Sequence, residues 1–123
     1  MNLVKGFDPR HVGVFSDPGH LSICGEPIEL ALNIVQEYLS VLALKDLMKR
    51  PFLRNGVQTW RTATMRLGQG FGDWASLVTT LKRVGFDGPI SFHSEYSGEP
   101  VETVVDLARI DVRFFNSLLD AKE

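Results

Sequence analysis

Residues 73–93 read DWASLVTTLKRVGFDGPISFH, and the punctuation of this stretch decides the fold. Asp73 is a good helix N-cap, because its short carboxylate can accept from the unpaired amides of a first helical turn. After it Trp74, Leu77, Val78, Leu81 and Val84 recur at the spacing of one helical face. Gly85 is placed to end that helix. Asp87-Gly88 then turns the chain into Pro89–His93, a short run with β-branched and aromatic residues that reads as a strand. A helix led straight into a strand in this way is part of an alternating β/α chain.

The same alternation extends in both directions. Val12–Phe15 reads as a strand that stops at the Asp17-Pro18-Gly19 turn, with a loop after it. Pro27 suits a first helical turn, and Ile28, Ala31, Leu32, Val35 and Leu39 stripe a helix running to about Leu39. Val41–Leu44 is nearly all apolar, as expected of a strand covered on both faces in a parallel sheet, and it ends in charge at Lys45-Asp46. Residues 47–72 form a long polar connection. Its Pro51, Asn55-Gly56 and late glycines argue against regular structure through most of it, and connections of this length are usually functional. Val101, Val104, Val105, Ala108, Val112 and Phe115 stripe a last helix. Met1–Phe7 reads as the tail of an earlier one.

Three β/α units in series require right-handed crossovers, a parallel sheet and helices on its outer face. Three strands cannot close such a sheet, since a complete (β/α)8 TIM barrel takes about 250 residues. The expectation for residues 1–123 is therefore a single incomplete domain, a partial TIM barrel of about three consecutive units. Its open strand edges and inner face call for cover from a missing N-terminal barrel half or from another copy in a homo-oligomer.

Composition excludes several classes. With 44% hydrophobic and 23% charged residues the chain can bury a core. A net charge of -2 gives no electrostatic reason to expect nucleic acid. The densest basic stretch, from Lys49-Arg50 to Arg54, reads as a solvated loop. No apolar run is long enough for a membrane span, and the N-terminus lacks a signal-peptide pattern, so a cytoplasmic protein is expected. The lone Cys24 fits that reducing compartment and reads as a packing residue.

Strand alternation selects the candidate site. Side chains of a strand point alternately to opposite faces, so Gly13, Phe15 and Asp17 share one face of the first strand. Leu42 and Leu44 face the helices in the second, leaving Ala43 and Lys45 inward. In the third, Ile90 and Phe92 pack outward while Ser91, His93 and, if the strand lasts that far, Glu95 point in. Asp17, Lys45, His93 and Glu95 thus meet at the C-terminal strand ends, where parallel barrels build their active sites.

Four pieces carry a resemblance: Asp17-Pro18-Gly19-His20, Leu44-Lys45-Asp46, Leu67-Gly68-Gln69-Gly70 with Asp73-Trp74, and Val84 through Ser91. In this order and spacing they resemble the xylose isomerase-like TIM barrels, in particular the sugar phosphate isomerase/epimerase branch. The resemblance implies that the three strands are the last three of the barrel. It also implies a divalent metal, manganese, magnesium, cobalt or zinc, that holds neighbouring sugar oxygens while carboxylates move a proton beside the carbonyl. Asp17 falls on a metal carboxylate of the family, and His20 matches a histidine lining the same pocket. A histidine ligand falls on Ala43, which cannot bind metal. The glutamate that is both ligand and base falls on His93, with Glu95 displaced by two residues on the same face. A further glutamate would precede Met1.

Two arrangements accommodate these substitutions. Asp17, His93 and His20 could form a degenerate metal site whose nitrogen and oxygen donors favour zinc or a similar metal. Alternatively the Lys45 ammonium replaces the metal and pairs with Asp17 or Glu95, as a group that polarises a sugar oxygen or as a structural ion pair. Asp17 can equally cap its own turn, and His93 can be a satisfied interior histidine. The glycines at 68, 70 and 72 lack the Lys-Ser/Thr of a nucleotide loop, though a substrate phosphate near Arg66 and the following helix start fits barrel precedent. The functional expectation is an isomerase/epimerase homologue for a sugar or sugar phosphate, with Lys45 and Glu95 catalytic, His20 and Arg66 binding substrate, and Asp17 and His93 holding metal. Its alternative is a truncated or oligomer-dependent, non-catalytic barrel fragment.

Overall fold

Parallel strand pairing organises residues 3–121, which the computed structural model describes. In chain order the elements are β1 (Val14–Ser16), α1 (Pro18–Ile23), α2 (Ile28–Val35), β2 (Leu39–Leu44), β3 (Asp46–Arg54), β4 (Val57–Met65), α3 (Trp74–Val84), β5 (Ile90–Phe92) and α4 (Val101–Asp120). β2 lies between β1 and β5 and is parallel to both, Phe15 opposite Val41 and Leu42, Ala43 and Leu44 opposite Ile90, Ser91 and Phe92. All three strands therefore end on the same side. This is the expected α/β arrangement, a portion of a TIM barrel.

One face of the sheet is covered. Leu42 and Leu44 pack with Ile28 and Leu32 of α2, Trp74, Leu77, Val78 and Leu81 of α3, and Phe115 of α4, with Ile90 and Phe92 against the same cluster. The opposite face carries Phe15, 57% exposed, and Ser91, also exposed. The alternation read from the sequence thus separates the two faces correctly. α3 matches its sequence reading: Asp73 accepts from the Ser76 amide at 3.0 Å, and Gly85 ends the helix at φ 66°.

Elsewhere tertiary structure overrides local pattern. α2 stops at Val35 rather than near Leu39, because Leu39 pairs with Val14 in the sheet. Tyr38, buried in the intervening turn, donates from its hydroxyl to the Phe7 carbonyl at 3.2 Å and so holds the N-terminal segment. Among the described residues of that segment, 3–6 form turns and no helix; Met1 and Asn2 lie outside the described residues. The segment after Asp17 is not a plain loop but the short α1, with Pro18 in its first turn.

The largest correction concerns residues 47–72. Most of the segment is an antiparallel hairpin, β3 with β4, in register from Asp46 opposite Met65 to Arg54 opposite Val57. Asn55 at φ 52° and Gly56 at φ 77° are both left-handed, as a two-residue hairpin turn of type I′ requires. Pro51 is tolerated because each strand of a two-stranded ribbon is an edge strand. Lys49, Arg50 and Arg54 therefore sit on a strand and not in a loop. On α4 the buried face is also rotated from the apolar stripe: Val101, Val105 and Val112 are exposed, while Asp111 and Phe115 are buried. A buried carboxylate in the middle of the face concealed it from an apolar count.

Candidate functional site

The C-terminal strand ends bring Asp17, Lys45, His93 and Glu95 together, with His20 beside them. Lys45 follows β2 directly, and its side chain is only 8% exposed. Its Nζ donates to Glu95 Oε2 at 3.0 Å and lies 3.4 Å from Asp17 Oδ2. The His20 Nε2 lies 3.7 Å from Asp17 Oδ2, and the His93 Nδ1 lies 3.7 Å from Glu95 Oε1. Phe15 and His93 stack obliquely with ring centres 5.9 Å apart, closing one side of the cluster.

Local structure aims each group. Asp17 serves in two ways, and the two readings of it are compatible. Its Oδ1 accepts from the His20 amide at 3.1 Å and starts α1, which leaves Oδ2 turned to Lys45. The His93 amide still pairs with the Leu44 carbonyl at 2.8 Å, so β5 holds its alignment to that point. Beyond it the chain bends, the Glu95 amide donating to the His93 carbonyl at 2.9 Å. Glu95 thus reaches Lys45 from a tight turn, not from continued strand alternation.

The charges reinforce one another. Burial disfavours the Lys45 ammonium, but the Glu95 hydrogen bond and the nearby Asp17 charge outweigh it and hold Lys45 above the ordinary lysine range. The hydrogen bond from Lys45 likewise holds the Glu95 carboxyl below its ordinary range, against a smaller opposing effect of burial. Both groups are ionised at neutral pH.

A third carboxylate, Asp46, builds the floor of this region, and the sequence alone suggested no role for it. Its Oδ1 accepts from the amides of Leu47 at 2.9 Å and Gly72 at 3.0 Å. Its Oδ2 accepts from the amides of Gly68 and Gly70 and from the Trp74 indole, each at 2.9 Å. The glycine loop does encircle an anion, and the anion is the protein's own. A Cβ at Gly70 would collide with this carboxylate and with the Leu47 carbonyl, so Gly70 permits the close approach of the loop. The legible signal was an aspartate at the end of an apolar strand, followed in the chain by glycines at alternate positions before an Asp-Trp helix start.

Arg66 is placed apart from the Lys45 cluster in contacts: its Nε donates to Gln69 Oε1 at 3.2 Å. The loop amides that a phosphate beside it would need are taken up by Asp46. Asp111 anchors the loop from the α4 side, accepting from the Leu67 amide at 3.0 Å and from the Tyr96 hydroxyl at 2.5 Å. Burial and that acidic partner push the Tyr96 phenol well above its ordinary value, so it stays protonated.

Among the described residues no group of three or more His, Cys, Asp or Glu side chains could hold a metal ion. Asp17 and Glu95 both face the Lys45 ammonium, and Ala43 adds no donor. These residues do not fit a divalent metal. What they provide is a fixed cation between two carboxylates with imidazoles on either side.

Comparison with known proteins agrees with the fold. The sequence model of the xylose isomerase-like TIM barrel family matches residues 1–118, and the chain belongs to that family. Its structure is similar to a xylose isomerase domain protein from Planctomyces limnophilus, with 27% identity and a TM-score of 0.71 over 95% of this chain and 41% of that one. It is also similar to an L-ribulose 3-epimerase, with 18% identity and a TM-score of 0.61 over 88% of this chain and 36% of that one. A D-psicose 3-epimerase from Clostridium cellulolyticum H10, solved with D-tagatose, gives 17% identity and a TM-score of 0.68, over 98% of this chain and 42% of that one. The chain spans about two fifths of the length of these structures. No curated protein matches it in sequence.

Proposed function

We propose that this member of the xylose isomerase-like TIM barrel family binds a sugar or sugar phosphate at the Lys45 cluster and moves a proton beside its carbonyl, as an isomerase or epimerase does. The observation that carries the reading is Lys45, buried at the end of the central strand and held between Asp17 and Glu95. In this reading Lys45 takes the place of the metal that the family resemblance implies.

The chemistry follows from the ion pair. While Glu95 is bonded to Lys45 its carboxylate is a weak base, as its depressed pKa expresses. A sugar oxygen that takes over the Lys45 hydrogen bond releases Glu95, whose basicity then rises. Glu95 removes the proton from the carbon next to the carbonyl, the bonding pair moves onto the carbonyl oxygen, and Lys45 stabilises the enediolate. Return of the proton to the former carbonyl carbon, with the hydroxyl proton passing between the two oxygens, isomerises the sugar; delivery of a proton to the original carbon from a second acid on the opposite face epimerises it. Asp17 holds Lys45 in place, and His20 and His93 lie within reach of further hydroxyls. Either a second copy of the chain or strands outside these residues complete the barrel wall. Among the described residues no helix is long and apolar enough to cross a membrane, and the reducing setting that suits Cys24 is the cytoplasm.

Incubation with ketoses in deuterated water under chelation tests the reading. Deuterium at the carbon beside the carbonyl, abolished by Glu95→Gln, is the expected result. Sugar binding without exchange would select the non-catalytic reading, which Ala43 at a family ligand position favours.

A further inference from the structure

The hairpin holds two guanidinium groups that the Lys45 cluster does not use. Arg50 and Arg61 are register partners on β3 and β4, so their side chains leave the same face of the ribbon. Like charges directly opposite in an antiparallel pair are destabilising. Among the described residues neither has a carboxylate within ion-pair distance. Each is held by a weak or non-ionic partner. Arg50 Nη2 lies 3.5 Å from the Met65 thioether, a poor acceptor, and the Arg61 guanidinium sits 5.7 Å above the Phe52 ring centre. A guanidinium stacked on a ring leaves its in-plane N–H groups pointing outward, in the fork that matches a phosphate.

Both line a groove of about 510 Å³, within the range of small-molecule sites at roughly 300–1,000 Å³. Its other wall is the start of the β5–α4 connection, with Tyr96, Ser97 and Glu99. Tyr96 and Ser97 follow Glu95 directly in sequence, and Thr64 on the hairpin wall pairs with Leu47, two residues past Lys45. Both walls of the groove are thus joined through short backbone segments to the positions of Lys45 and Glu95. The Tyr96 hydroxyl is fixed by Asp111 and can accept from a ligand, while Ser97 adds a second hydroxyl. Glu99 is the one carboxylate of the lining.

We infer that this groove receives the phosphate of a sugar phosphate, with Arg50 and Arg61 as its binding residues. The inference deepens the reading of the Lys45 cluster by naming the substrate class, and it rests on that reading only for the sugar portion. It moves the phosphate away from the Arg66 loop, whose amides serve Asp46. Glu99 opposes the anion and sets an upper bound on affinity.

Calorimetric titration with three probes tests it: a ketohexose, its 6-phosphate and inorganic phosphate. The 6-phosphate should bind about tenfold or more tightly than the parent sugar, because charge-assisted bonds to a guanidinium are the stronger class. Arg50→Gln with Arg61→Gln, both exposed positions, should erase that preference and the binding of inorganic phosphate, while Lys45→Met, which weakens the sugar, keeps the binding of inorganic phosphate. Glu99→Gln should tighten phosphate, and added salt should weaken it. If neither sugar binds but inorganic phosphate does so in an arginine-dependent way, the Lys45 reading fails and the anion site stands. Equal affinity for sugar and sugar phosphate, or a preference that survives the double arginine variant, would overturn the inference.

Discussion

The Trp74 indole donates to Asp46 Oδ2 at 2.9 Å, joining residues 28 apart in sequence at the floor of the barrel segment. Through that bond the first turn of α3 is tied to the start of β3, and the intervening glycine loop is drawn around the same carboxylate. Asp46 is fully buried and adjoins Lys45 in the chain. The buried anion and the buried cation are thus set by one short stretch of backbone.

Asp46→Asn is expected to be severely destabilising. Both carboxylate oxygens face N–H donors, so either orientation of the amide places its NH2 against at least two of them. Unsatisfied buried donors cost about 1–3 kcal/mol each, so a loss of at least about 2 kcal/mol should appear in denaturant unfolding. A loss under about 1 kcal/mol would show that the loop does not depend on this carboxylate.

Gly56→Ala forces a side chain into the left-handed turn at φ 77°. The expected penalty of about 1 kcal/mol falls on the hairpin alone. Amide exchange should accelerate across residues 49–62, with exchange in β2 and α3 unchanged. Uniform acceleration would mean that the hairpin and the sheet open as one unit.

The Lys45 pair gives stability a defined pH dependence. Lys45 is raised above its ordinary 10.5, so its contribution is complete below that value and is lost as pH rises through the folded pKa. Glu95 is lowered from its ordinary 4.5, so its contribution is complete above that value and is lost as pH falls through the depressed pKa. The stability difference between wild type and Lys45→Met should therefore be flat between these ordinary values and narrow outside them. A difference that stays constant down through the depressed Glu95 value would contradict the ion pair.

Tyr96→Phe removes the donor to Asp111 Oδ2 and leaves that oxygen unpaired. Unfolding should become easier by about 1–3 kcal/mol. Loop 67–72 should also loosen, since the same carboxylate fixes the Leu67 amide. Exchange of the Leu67 amide reports this directly, and an unchanged rate would separate the two bonds.

The parts of this molecule written in apolar periodicity were legible. α3 could be read from Trp74 to Gly85, and alternation put Asp17, Lys45 and His93 at one end of the sheet. What escaped depended on polar groups or long-range pairing. Asn55-Gly56 is a strong hairpin turn, yet Pro51 and the charged flanks masked the strands beside it. Asp111 hid the buried face of α4 because a carboxylate does not score as core. Asp46 was invisible for a related reason: four of its five donors are backbone amides, whose positions no residue type announces.

The most direct test of the central claim, that Lys45 is the cation that meets the sugar, is the affinity for a ketohexose measured in chelated buffer with wild type and Lys45→Met. The wild type should bind without added metal, and the variant should lose about tenfold or more in affinity. Binding that requires an added divalent metal, or that persists undiminished in the variant, would contradict the claim.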